Sequence, residues 1–344
     1  MRKWKLGLLS SVLLGSMVLA GCGNSSEETA ATGNEGASAE KQEIRIGHFP
    51  NLDHAPAIVG LKKEIFAKNL EGVKVETQVF PDGNAFMDSL NSGNLDIGYV
   101  GPGPAINRFM QGNDVVILAS AANGATLVVS RADSGITKVE DLDGRSFCTP
   151  GIGCTHDVQL EKMMSDIGLT SNRIGGTVVH QKQNPANVQA LFESKQMDAA
   201  ALPEPWGTYL VETTGANVIA EWDQVAWGTT LPSVVLVSSK KFVQENPELT
   251  KKLLKAHVES VDFVNNNKEE SIQLINETLY ELTQKKLPEN VLAKSWDRMT
   301  FTSDVHTDAL QEWANASYAL KFIKEEPKLE GLVDTAVLET VATK

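Results

Sequence analysis

Basic side chains are in short supply: 31 Lys and Arg stand against 44 Asp and Glu, and they form no stripe along any predicted element. A chain of that charge is a poor partner for nucleic acid. Cysteine is scarcer still, with only Cys22, Cys148 and Cys154. The last two stand so close together that a bond between them closes a short loop with little to cross-link, so a disulfide and two free thiols both stay open. The signatures of catalysis are missing as well: there is no Gly-x-Ser-x-Gly elbow, no His-Glu-x-x-His, no Walker loop and no second CxxC. Gly151-Ile152-Gly153 starts like a dinucleotide loop but lacks the third glycine and lies far from the amino-terminal strands. Cys148, Cys154 and His156 fall within nine residues, which is no zinc-finger spacing, and Cys148 sits inside an apolar strand. No catalytic residue, metal or cofactor is therefore expected, and the chain is not read as an enzyme.

Long apolar runs are also absent. The one candidate, residues 6–20, is shorter than the ~20 residues a membrane helix needs and follows Arg2, Lys3 and Lys5, the basic-then-apolar order of a secretory signal. It ends Leu19-Ala20-Gly21-Cys22, which resembles the lipobox of bacterial lipoproteins. The resemblance implies a signal peptide over 1–21, cleavage before Cys22, lipid on the Cys22 sulfur, and a mature chain held on the extracytoplasmic face of a bacterial cell membrane. Residues 22–42 carry no large apolar side chain, so they cannot offset the entropy of ordering and read as a tether. At a coil scaling of ~5–6 Å times the square root of length, it holds the folded part roughly 25 Å from the lipid. The leader takes three basic residues with it, which leaves 28 against 44 and a net charge of −16.

What is present is a stretch written twice. Residues 85–104 and 186–205 align at one offset, with Ala85 answering Ala186, Leu90 answering Leu191, Pro102 answering Pro203 and Pro104 answering Pro205. Each copy reads as a helix, an apolar strand after Asp96 or Asp198, and a proline-punctuated loop opening the next helix, where proline's missing N–H has no partner to lose. Each copy therefore sets a loop and a helix N-terminus at a strand's carboxyl end, where open α/β sheets bind ligands. About 300 residues follow the tether, enough for two lobes with separate cores. Strands are expected at 43–49, 73–79, 95–100, 115–121, 127–130, 145–149, 177–180, 197–202 and 231–238, with helices between them, as for parallel α/β sheets. The expected division is lobe I over 43–130 plus 236–344 and lobe II over 131–235, with a hinge at 130–135 and a return crossing at 231–238. From residue 246 onward the chain reads as helical, a cover on lobe I.

The loops at the strand ends are the candidate site: 50–54, 101–104, 153–157 and 203–206. They lack Lys and Arg, so helix N-termini, with unpaired N–H groups and partial positive charge, are what they offer a small anion. Tyr99 and Trp206 could wall a pocket, although an aromatic after a strand is more often core.

At these residues the chain resembles the lipid-anchored substrate-binding proteins of nitrate-, sulfonate- and taurine-type ABC importers. The matching segments are Arg45-Ile-Gly-His-Phe-Pro-Asn-Leu-Asp-His-Ala-Pro-Ala, Leu95-Asp-Ile-Gly-Tyr-Val-Gly-Pro-Gly-Pro-Ala-Ile-Asn, Thr149-Pro-Gly-Ile-Gly-Cys-Thr-His-Asp and Pro203-Glu-Pro-Trp. The resemblance implies a two-lobed periplasmic-binding-protein-like α/β fold of type II with two hinge crossings, closing on a small ligand and docking as a monomer on a permease with its ATPase. It places the pocket on Asn51, Asp53 and His54, on Gly101, Pro102 and Gly103, on Cys154, Thr155 and His156, and on Glu204 and Trp206. It implies a sulfonate ligand, aliphatic or taurine, with nitrate, bicarbonate or a small amidinium as alternatives. Asp53 stands where such proteins more often carry a small hydroxyl residue, and Cys154 and His156 replace amide-type residues. An acid at the cleft turns the expectation from a bare anion toward a zwitterion or a small cation. The enzyme branch of this fold, which makes the thiamine pyrimidine, is recognisable by a run of cysteines that this chain lacks.

Overall fold

The computed structural model describes residues 41–342; the expected signal, Cys22 and the tether up to residue 40 lie outside the described residues. The strands are β1 (Glu43–His48), β2 (Lys74–Val79), β3 (Ile97–Val100), β4 (Val116–Gly124), β5 (Thr126–Ser130), β6 (Ser146–Thr149), β7 (Val179–Lys182), β8 (Ala199–Pro203), β9 (Asn217–Ala220), β10 (Pro232–Ser238) and β11 (Met299–Phe301). They form a six-stranded sheet in the order β11-β4-β10-β3-β1-β2 and a five-stranded sheet in the order β7-β6-β8-β5-β9.

The written repeat is a structural one. In the first sheet β1 pairs in parallel with β2 and β3, and β10 runs antiparallel beside β3. In the second, β6 pairs in parallel with β7 and β8, and β5 runs antiparallel beside β8. The aspartates of the repeat do the same work in both copies: Asp96 Oδ2 accepts from Arg45 N at 2.9 Å, and Asp198 Oδ2 accepts from Ser146 N at 3.0 Å. Each carboxylate thus ties the foot of a central strand to the foot of its neighbour. The expectation of parallel sheets needs correction, because each sheet is mixed. The central strands β3, β4, β5, β8 and β10 are buried throughout, which explains why they read as continuous apolar runs.

The antiparallel strands carry the crossings. The chain leaves the first sheet after Gly124, whose φ of 90° suits glycine, and β5 already pairs with β8 and β9. It returns over 221–231, and all of β10 belongs to the first sheet. The crossings therefore lie upstream of the expected 130–135 and 231–238: β5 and the first residues of β10 each sit in the opposite sheet from the one assigned by sequence. A buried apolar strand carries no mark of which sheet it joins.

The carboxy-terminal helices cover both sheets, not lobe I alone. Leu253, Leu254 and Ala256 of the Pro247–Asn266 helix pack with Ile44, Ile46, Val116 and Leu118 of the first sheet. Each such leucine contributes ~1.5–3 kcal/mol on burial. Ile275, Leu279, Val291 and Leu292 join Leu127, Val129 and Trp206 of the second. The Thr307–Ala319 helix lies against the Pro102–Met110 and Thr155–Asp166 helices, with Trp313 fully buried between. Strands β9 and β11, which the sequence reading misses, are short edge strands of four and three residues, too brief for a period to show. No described helix is long and apolar enough to cross a membrane.

Candidate binding cleft

The loops at the strands' carboxyl ends converge on one cleft between the sheets. It is lined from the first sheet's side by Phe49, Asn51, Asp53, His54, Phe80 and Asp82, and from the second's by Pro150, Cys154, Thr155, His156, Asn184 and Trp206, among others. Its free interior is about 70 Å³. At ~10–15 Å³ per water-sized sphere, that is room for roughly five to seven such bodies, a small solute. Phe49 makes the apolar wall, packed on Phe86 and Phe80 at ring-centroid distances of 5.9 and 6.4 Å.

Three polar atoms in the wall have no protein partner: Asp53 Oδ1, His54 Nδ1 and His156 Nε2. Their residues are 2, 3 and 8% exposed. A buried polar atom left unpaired costs ~1–3 kcal/mol, so these three are the unused bonding capacity of the cleft wall. Burial pushes the Asp53 carboxyl up to about 8; the backbone N–H groups and Ser233 only partly offset it, and the Glu204 carboxylate adds to it. Burial likewise takes His156 down to about 4 and His54 well below its ordinary value, the latter helped by His48 and His156 nearby. Both imidazoles are thus neutral at pH 7 and, by choice of tautomer, donate or accept. No Lys or Arg stands among the residues lining this cleft.

The candidate residues divide. Asn51, Asp53, His54, Gly101, Cys154, Thr155, His156 and Trp206 line the cleft; Pro102, Gly103 and Glu204 do not. Gly103 serves the approach of the two sides. Its N–H donates to Thr155 Oγ1 at 3.2 Å, and a methyl on it would lie 2.8 Å from Thr155 N. Glu204 turns away from the cleft to accept from Thr208 N and Oγ1 and from Ser295 Oγ, with Arg298 Nη1 3.5 Å away. It starts the Trp206–Thr214 helix and ties it to the carboxy-terminal segment, work that a Pro-Glu-Pro spelling does not reveal. Trp206 donates from Nε1 to Asn51 Oδ1 at 2.9 Å, so it is wall and clamp together. Tyr99 is core: its hydroxyl bonds His257 Nδ1 at 3.0 Å. Cys148 and Cys154 are free thiols, the first buried in β6. Asp82 and Asn184, missed by the sequence reading, are N-caps just ahead of the two copies of the repeat, one residue out of its register. Pro81-Asp82-Gly83 and Gln183-Asn184-Pro185 carry the signal for them, turn residues set just before each helix.

A family model described as the NMT1-like family matches residues 37–279. The chain belongs to the NMT1-like family. A putative binding protein of Brucella abortus (strain 2308) is 27% identical over 239 residues, 69% of this chain and 72% of that one. The taurine-binding periplasmic protein of Escherichia coli (strain K12) is 30% identical over 209 residues, 60% of this chain and 62% of that one. Among solved structures, the alkanesulfonate-binding protein of Xanthomonas axonopodis pv. citri bound to MOPS superposes with a TM-score of 0.73 at 19% identity, covering 86% of this chain and 99% of that one. The two-lobed periplasmic-binding-protein-like fold of this NMT1-like chain follows, and a substrate-binding role is what its relatives support.

Proposed function

We propose that the protein is the lipid-anchored, extracytoplasmic substrate-binding component of an ABC importer, and that it captures a small aminosulfonate of the taurine type. The observation that carries the ligand class is the set of three unpartnered buried atoms, one carboxyl and two neutral imidazoles, between helix N-termini and without a cationic side chain. A sulfonate accepts from imidazole N–H groups and from the first turn of the Thr155–Asp166 helix, whose partial positive charge favours an anion. The Gly103 N–H is already given to Thr155 Oγ1 and so is not free for a ligand. The ammonium end of the same ligand pairs with Asp53. MOPS, held by the Xanthomonas protein, is itself a sulfonate with a basic nitrogen. A second reading, a small amidinium bonded by all three atoms as acceptors, is favoured by the two acids of the lining, Asp53 and Asp82, and the absence of Lys and Arg from it.

Calorimetric titration with taurine, an alkanesulfonate of equal length, nitrate and guanidinium separates these. Taurine binding tightest supports the proposal; nitrate or guanidinium binding tightest overturns it.

The two sides of the cleft are proposed to move about the crossings at 124–126 and 221–231, closing on the ligand as a monomer that meets the permease. Binding to the closed form alone stabilises it by about 2.7 kcal/mol at a hundredfold excess over Kd. The anchor is proposed at Cys22, on the lipobox-like spelling before it. Cys22→Ala is expected to release the chain from the membrane fraction, and unchanged incorporation of radiolabelled lipid would refute the anchor.

A further inference from the structure

Behind the cleft, and not part of its lining, one donor atom from each of Asp157, Glu161 and His180 lies within 4.8 Å of the other two. Asp157 and Glu161 are one turn apart on the Thr155–Asp166 helix, so both project from one face, and His180 faces them from β7. The side chains are 0, 0 and 2% exposed.

Each carboxylate has one oxygen held by the protein and one left bare. Asp157 Oδ2 accepts from Gly153 N at 2.7 Å, whereas Oδ1 has no hydrogen-bond partner and lies 3.5 Å from His180 Nδ1. Glu161 Oε1 accepts from Ser171 Oγ and has Arg173 Nη2 3.7 Å away, whereas Oε2 has no partner. His180 is oriented in the same manner. Its Nε2 lies 2.8 Å from Thr149 Oγ1, whose hydroxyl donates to Gly151 O at 3.1 Å, so Nε2 carries the hydrogen and Nδ1 turns its lone pair to the carboxylates. Stacking on Phe147 at 4.5 Å fixes the ring plane.

Three buried side chains with donor atoms within 4.8 Å of one another, two of them carboxylates with an unpartnered oxygen, each steadied from behind by a hydrogen bond, have the organisation of a ligand shell with its outer partners. From this we propose that Asp157, Glu161 and His180 form a site for a divalent cation of the zinc type, independent of which solute the cleft carries. The 3.5 Å between Nδ1 and Oδ1 is near the ~3.3 Å edge of a tetrahedron with ~2.0–2.1 Å bonds; the 4.8 Å within which the three donors lie is wider than that edge, so the carboxylates draw in on binding, and one nitrogen with two oxygens suits zinc better than an all-oxygen cation such as calcium. Arg173 is the cation already beside the group, its charge acting on Asp157, Glu161 and His180, and it leaves Oε2 unbonded. It lies toward Oε1, donates to Leu320 O and stacks over Phe322 at 3.5 Å. Because Asp157 also holds Gly153 N, a bound ion fastens the loop that carries Cys154, Thr155 and His156 into the cleft.

The test uses the full chain stripped with a chelator and titrated with Zn²⁺ by calorimetry and with Co²⁺ by visible absorption. One ion per chain is expected, with Asp157→Asn and Glu161→Gln each weakening binding at least tenfold and His54→Ala and His156→Ala leaving it unchanged. Zn²⁺ is also expected to raise the melting temperature of the stripped wild type and not that of Glu161→Gln. Absence of stoichiometric binding overturns the proposal, as does binding lost in His156→Ala but kept in Glu161→Gln. Where a variant fails to fold, the wild-type Co²⁺ spectrum decides. Tetrahedral bands without a thiolate charge-transfer band support the site, and a thiolate band, which would put the ion on Cys154, overturns it.

Discussion

Lys182 Nζ donates to Asp82 Oδ2 at 2.7 Å, joining the two sides of the cleft, while Asp82 Oδ1 accepts from Asn84 N and Ala85 N as the cap of its helix. One carboxylate thus starts a helix in one lobe and latches the other. Burial raises its pKa, but Lys182 and the capping N–H groups outweigh that and hold it below the ordinary value, so the latch is charged at neutral pH. Lys182 is 46% exposed, and pairs of that kind are worth ~0.2–1 kcal/mol. Lys182→Met is expected to weaken ligand binding by about two- to fivefold, and the difference from wild type should vanish in ~1 M salt, where the screening length is ~3 Å. A difference that persists at high salt would mean that the stem of Lys182, not its charge, matters. Asp82→Ala should cost ~1 kcal/mol of stability besides, through the lost cap, and Asp82→Asn much less.

Gly103 sets how closely the two lobes approach. A methyl there would lie 2.8 Å from Thr155 N, 2.8 Å from a ring carbon of Trp313 and 3.0 Å from the Cys154 carbonyl carbon, backbone and buried ring that have nowhere to go. Overpacking of this kind costs ~1–3 kcal/mol. Because part of it falls on the closed form, Gly103→Ala is expected to weaken binding roughly tenfold or more and to leave a wider particle in small-angle scattering with ligand present. Gly101→Ala meets under 3 Å only the Thr155 hydroxyl, at 2.6 Å, which can rotate away at the cost of its bond from Gly103 N; its loss should be smaller. Equal losses for the two would refute this account.

Much of this site is legible in the amino-acid sequence. Asp96 and Asp198, each before an apolar run and a proline-marked loop, announce two copies of one unit, and the copies do face each other. What the sequence hides is direction. Glu204 and Asp53 both read as acids at a strand end, yet Glu204 points into Thr208 and Ser295 and Asp53 into the cleft wall. Sheet membership is hidden for the same reason, since Val128 and Val235 are equally apolar and fully buried in different sheets. Long-range pairing decides both, and it leaves no local trace in a single chain.

Arg298 is the partner that Glu204 needs. Burial raises the Glu204 pKa, with Thr208, Arg298 and Ser295 opposing that, and Arg298 also holds Glu221 through two bonds of 2.9 Å and donates to Thr208 Oγ1. Glu221 stands where the chain leaves the second sheet, so this arginine fastens the crossing. Arg298→Ala is expected to lower stability by ~1.5–3 kcal/mol in urea unfolding, the worth of charged hydrogen bonds. Arg298→Lys should recover only part, because an ammonium cannot reproduce the paired bonds to Glu221. Full recovery by lysine would show that charge alone suffices.

Asp53 gives the reading of the ligand its sharpest test, because its proton leaves on binding under one charge assignment and stays under the other. The folded carboxyl titrates near 8 against an ordinary value of 3.8, so between these pH values the folded chain holds a proton that the unfolded chain has released. The Asp53 contribution to stability without ligand therefore falls as pH rises from about 4 to about 8 and is level above, and it is read as the difference between wild type and Asp53→Asn, because the lowered His48, His54, His156, His180 and His257 act with the opposite sign. If the ammonium of an aminosulfonate pairs with Asp53, the carboxyl must ionise on binding. Affinity then rises with pH toward 8, and at pH 6–7 the heat of binding depends on the buffer that takes the released proton. The pair is a charge-assisted bond of ~1.5–3 kcal/mol, so Asp53→Asn should weaken taurine roughly ten- to a hundredfold and abolish the buffer dependence. If instead a bare sulfonate accepts from the protonated carboxyl, affinity falls as pH passes 8 and no proton is released. Identical pH profiles for wild type and Asp53→Asn, in both stability and binding, would remove Asp53 from the site and with it the case for a ligand with a cationic end.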